Sequence, residues 1–231
     1  MPQGFQASAI AIDGPLLPRG AAQNIRRNCE SVFIRAPFHN RCKPGLSHFG
    51  TGLKLRIASV ETCAQFGSTL ARSALVKRVT VCPGSLIVEA FPNAFLGVLI
   101  SESELLSVPK LKRGRRFDWL YERIVTTGRL ESLLSKKLDL SEEVWRSVRL
   151  ETNHELRAAL ICLLTAALAV QGTATIVGED TGGWFWLPPW SLWQPWATQG
   201  LARAVKAMAL KGQTVDLVIG EAVRSCSGFG S

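Results

Sequence analysis

Ser8-Ala9-Ile10-Ala11-Ile12-Asp13-Gly14-Pro15-Leu16-Leu17-Pro18 is the stretch that decides the fold. Residues 9–12 form a short apolar run with β-branched side chains, the pattern of a buried strand. Gly14-Pro15 stops it, because proline cannot donate to a ladder and glycine permits a tight turn. Asp13 is therefore expected at the carboxyl end of a buried strand, where open α/β sheets place their sites. The competing reading makes Asp13 an ordinary turn cap.

The same design recurs in Ser85-Leu86-Ile87-Val88-Glu89-Ala90-Phe91-Pro92. A buried strand over 86–88 ends in an acid, and Pro92 opens a helix expected over 92–100. Two parallel strands that each bring a carboxylate to one sheet end form a cation site, since acids held close repel unless a cation lies between them. The structural alternative has Glu89 capping or pairing with the helix that follows.

Around these strands the periodicity predicts helices over 21–34, 51–78, 117–126, 129–138 and 195–211. Ser141 is the expected N-cap of a further helix. Arg26, Arg27 and Glu30 cluster on the first of these helices. Residues 38–48 read as a long ordered loop in which His39, Arg41, Lys43, Ser47 and His48 can all meet an anion. His39 and His48 lie nine apart and match no zinc-ligand spacing. Residues 109–116 are the densest basic run, either a phosphate-contacting loop or a solvated surface.

From Thr152 onward a polar start carrying Asn153, His154 and Glu155 leads into a helix apolar on most sides, which must bury itself against a sheet. Strands follow over 173–177 and 215–219. Between them, residues 184–196 hold five of the seven tryptophans. Base stacking and core cover are the two readings; cover, with indole N–H groups reaching backbone carbonyls, suits a Pro-Pro segment crossing the sheet.

At 231 residues, 47% hydrophobic and 19% charged, the chain has the composition of one ordinary globular domain, with residues 220–231 as a Ser/Gly tail. The longest apolar helical run, 158–170, is too short to span a bilayer, and the first residues do not read as a secretory signal. Six cysteines without a C-x-x-C pair read as reduced thiols, so no disulfide-linked partner and a cytoplasmic setting are expected. A net charge of +9 favours polyanionic partners, nucleic acid first.

Several motifs occur in a fixed order. They are Ile12-Asp13-Gly14-Pro15-Leu16, the arginine-rich segment with Cys42-Lys43-Pro44-Gly45, Val88-Glu89-Ala90-Phe91-Pro92, His154-Glu155 ahead of the apolar helix, and Val177-Gly178 leading to Trp184-Phe185-Trp186-Leu187-Pro188. In this order, over about residues 8–197, the chain resembles the domain-of-unknown-function family DUF429, whose members are described as predicted RNase H-like nucleases. The resemblance implies a ribonuclease H-like α/β fold, a mixed sheet flanked by helices. It implies Mg²⁺- or Mn²⁺-dependent hydrolysis of nucleic acid, with Asp13, Glu89 and Glu155 as metal ligands and catalytic acids. Arg27, Arg41 and Lys43 would be anion contacts.

Relatives begin with a further strand and hairpin that carry an early aspartate. Only seven residues precede Ser8, so that strand is expected to be missing. Arg157 stands where relatives commonly place an acid. A catalytically degenerate nucleic-acid-binding or interaction module on the same fold is the alternative, and a small-molecule phosphate enzyme is a third reading.

Overall fold

Ala9–Asp13 is a strand, β1, and Leu86–Ala90 is a second, β2, running parallel to it, so their matching acid-then-proline endings lie at one end of the sheet. The structure, a computed structural model, describes residues 8–16, 26–42, 46–64, 86–108 and 115–220. Thr175–Glu179 (β3), Gly183–Leu187 (β4) and Asp216–Ile219 (β5) complete one sheet in the order β1-β2-β4-β3-β5. β2 and β4 are parallel, whereas β3 runs antiparallel to both β4 and β5. The chain is thus a mixed α/β protein with helices flanking a mixed sheet.

Among the described residues the helices are α1 (Asn28–Phe33), α2 (Gly50–Ala64), α3 (Pro92–Gly97), α4 (Glu102–Leu106), α5 (Arg116–Val125), α6 (Arg129–Leu134), α7 (Glu142–Leu150), α8 (His154–Val170) and α9 (Pro195–Ala209). Local chemistry sets their starts. Ser141 caps α7 by accepting the Val144 N–H at 3.3 Å, as its sequence position predicts. The Asn153 side chain accepts the Glu155 and Leu156 N–H groups at 2.9 and 3.2 Å, so α8 begins at His154. Pro92 and Pro195 occupy first-turn positions, where a missing N–H costs nothing.

α8 packs along β1, β2 and β4, burying Ile161, Leu164 and Leu168 in the main core with Val88 and Trp186. α1 packs on β3 and β4, with Phe33 set edge-on to Phe91 and Phe185. A small second cluster, Ile87 and Leu16 with Ile10 and Ile12, fills the opposite side of β1 and β2.

Four expectations shift. The helix expected over 21–34 starts only at Asn28, because Arg27 has extended backbone angles (φ −80°, ψ 143°); residues 21–25 lie outside the described ones. Helices expected over 92–100 and 129–138 end at Gly97 and Leu134 and continue as turns. The tryptophan segment does not cross over the sheet: Gly183–Leu187 is strand β4, paired between β2 and β3. Lys43, residues 65–78 of the helix expected over 51–78, the basic residues 109–114 and the tail from 221 lie outside the described residues.

Trp184, Trp186, Trp193 and Trp196 are nevertheless buried. Two indoles donate as core indoles do, Trp193 Nε1 to Pro188 O and Trp196 Nε1 to Ile100 O, both at 2.9 Å. Cys29, Cys42 and Cys162 are free, buried thiols. Burial pushes the Cys29 and Cys162 thiols up to about 12. No helix among the described residues is long and apolar enough to cross a membrane.

Candidate acidic site at the strand ends

Parallel pairing sets Ile12 opposite Glu89 and Asp13 opposite Ala90. Paired residues share a face and successive residues alternate, so this offset of one sends Asp13 and Glu89 to opposite faces of the sheet. Asp13 emerges on the side of α8, Glu89 on the side of α1. Both still border one cavity of about 600 Å³ that opens over the strand ends, together with Arg27, Glu30, Arg116 and His154.

Glu89 is buried and fully engaged. Arg27 Nη2 donates to Oε1 at 2.5 Å and Nη1 to Oε2 at 2.6 Å, the bidentate geometry of a strong pair. The Leu16 N–H adds a third donor at 2.8 Å. Burial pushes the Glu89 carboxyl up, to about 7, against the pull of Arg27 and the Leu16 amide. Arg27 also donates through Nε to Glu30 Oε1 at 2.8 Å and lies over the Phe185 ring, 5.0 Å from its centroid. Gly183 makes room for this packing. Its φ of +85° and a Cβ position only 2.3 Å from the Leu16 carbonyl oxygen both exclude a side chain.

Asp13 has a different setting. Its side chain reaches solvent, yet the surrounding walls strip away enough water to push its carboxyl up to about 6. The Glu155 carboxylate raises it further, and His154 opposes the rise. Glu155 itself is exposed on the first turn of α8. His154 is oriented by Asp118, with Nδ1 3.0 Å from Oδ1, and by the edge-on ring of Phe117.

Arg41 pairs with Glu102 at 2.7 Å and stacks over Trp196, 4.4 Å from the ring centroid. Arg157 ties α8 to α5: it donates to Asp118 and Glu122 at 3.3 and 2.9 Å and covers the Tyr121 ring. Glu30 and Arg116 were legible only as members of the Arg26-Arg27-Glu30 cluster and of the basic run 109–116, and Asp118 and Phe117 carried no signal; Asp118 becomes part of the site only through a fold that joins residues 36 apart.

Asp13 and Glu155, whose charges act on one another, are hard oxygen donors of the type that Mg²⁺ and Mn²⁺ take. Glu89 does not suit one while Arg27 holds both of its oxygens. Among the described residues no group of three or more His, Cys, Asp and Glu side chains is arranged to hold a metal ion. Comparison with models of protein families, with curated proteins and with solved structures gave no match.

Proposed function

We propose that the chain is a divalent-metal-dependent phosphodiesterase acting on nucleic acid, of the ribonuclease H-like class that the motif order resembles. The observation that carries this reading is Asp13: an acid at the end of β1, facing a cavity, with its pKa raised to about 6 by lost water and a neighbouring carboxylate. Perturbed acids in clefts mark sites where charge is managed for chemistry or for a cation. Asp13 and Glu155 would hold one Mg²⁺ or Mn²⁺. A bound ion of this kind lowers the pKa of water and neutralises charge on a phosphoryl group. Arg116, at the cavity wall, offers a phosphate contact, and the surplus of basic residues draws a polyanion to the surface. Asp118 and Phe117 fix the His154 ring at the cavity wall. Glu89 serves as an architectural acid that anchors Arg27 and the Leu16 turn.

The test is cleavage of labelled single-stranded and duplex RNA and DNA in Mn²⁺. Wild type is expected to cut at least one of them, and Asp13→Asn to cut no faster than the metal-free control. Undiminished cleavage by Asp13→Asn refutes the assignment.

One observation favours the second reading, a non-catalytic binding module: the pairing of Glu89 with Arg27 removes one acid from the set. That module would bind nucleic acid with strong salt dependence and without turnover.

A further inference from the structure

Arg27 lies between two buried acids from different elements, Glu89 of β2 and Glu30 of α1. Its three nitrogens contact them at 2.5, 2.6 and 2.8 Å. The other Glu30 oxygen accepts the Ser47 N–H at 3.3 Å, and Glu89 also accepts the Leu16 N–H. Every carboxylate oxygen of the pair thus faces an N–H donor. Acids converging on one centre are the donor set of a divalent ion, but the centre here is a guanidinium.

The charge count agrees. Arg56 of α2 is buried and close enough for its charge to act on Arg27, Glu30 and Glu89. Above pH 7, where Glu89 carries its charge, two glutamates and two arginines cancel. A neutral and hydrogen-bonded buried cluster gives an added cation nothing to offset its loss of water.

We propose that Arg27 is a resident counter-cation: its guanidinium occupies the place between Glu89 and Glu30 that a divalent ion would otherwise take, and removing it converts the two acids into a metal site. An arginine is permanently charged, so chelators do not empty this position. The inference goes beyond the proposed phosphodiesterase and does not rest on it, because Asp13 lies on the other face of the sheet.

The test is calorimetric titration of Mn²⁺ into wild type, Arg27→Met, Glu89→Gln and the Arg27→Met/Glu89→Gln double variant at about pH 8, where Glu89 is ionised. Arg27→Met is expected to take up one more Mn²⁺ than wild type. The double variant should lose that ion, and Glu89→Gln alone should match wild type. The same titration followed by thermal unfolding should show millimolar Mn²⁺ raising the midpoint of Arg27→Met more than that of wild type. Equal stoichiometry in Arg27→Met and wild type overturns the proposal, as does loss of a wild-type ion in Glu89→Gln. An Arg27→Met chain that stays unfolded in Mn²⁺ also overturns it, since the ion is claimed to replace the guanidinium. A wild type that binds no Mn²⁺ counts against the Asp13–Glu155 site alone and leaves the Arg27→Met difference standing as the measure of this claim.

Discussion

Glu89→Ala is expected to cost the folded chain about 3–5 kcal/mol, the usual penalty for leaving one partner of a buried ion pair alone. The side chain removed accepts two guanidinium hydrogen bonds and the Leu16 amide, all of them buried. Glu30 still neutralises Arg27 in the variant, which places the loss toward the lower end of that range. For a chain of this size such a loss lowers the melting midpoint by roughly 10 °C. Glu89→Gln should lose less, because the amide oxygen still accepts one guanidinium N–H. Thermal unfolding of the three proteins side by side checks this. An alanine variant as stable as wild type would show that the Arg27–Glu89 pair does not hold the strand ends together.

Asp13→Asn is expected to have the opposite sign, stabilising the metal-free chain at about pH 8 and not at about pH 4. The folded Asp13 carboxyl sits near 6, above its ordinary 3.8, because burial and Glu155 penalise the charge. Proton binding therefore favours the folded state. Asp13 contributes that stability fully below about pH 4 and loses it as pH rises through 6. Asparagine carries no charge at any pH, so its advantage should appear across this window and then level off. Melting midpoints of both proteins from acid to mildly alkaline pH read it directly. Added Mn²⁺ should narrow or reverse the difference at the upper end, because the ion stabilises only the chain that binds it. An asparagine variant whose advantage is independent of pH would mean that Asp13 is an ordinary turn residue. Such a site gives up some stability for a charge it can use.

The strands that carry the site were legible because their endings are chemically abrupt. Asp13-Gly14-Pro15 and Glu89-Ala90-Phe91-Pro92 mark the carboxyl ends of β1 and β2, and the parallel pairing follows. The register was not legible. The offset of one residue that separates the two acids onto opposite faces depends on how β1 slides along β2, which no local signal specifies.

Strand β4 was hidden for another reason. Its tryptophans and the following Pro188-Pro189 suggested a covering segment. The Gly182-Gly183 pair between two runs of strand formers is a hairpin signal that the tryptophans outweighed. The family resemblance made Arg27 an anion contact. Its partner Glu89 stands 62 residues away, and only the packing of α1 against the sheet joins them.

The most direct measurement is the calorimetric titration of Mn²⁺ into the wild-type chain beside Asp13→Asn and Glu155→Gln. Wild type is expected to bind Mn²⁺, with binding abolished in Asp13→Asn and weakened in Glu155→Gln. Absence of binding in wild type, or equal binding in Asp13→Asn, would contradict this expectation and leave the strand ends as a structural junction rather than a cation site.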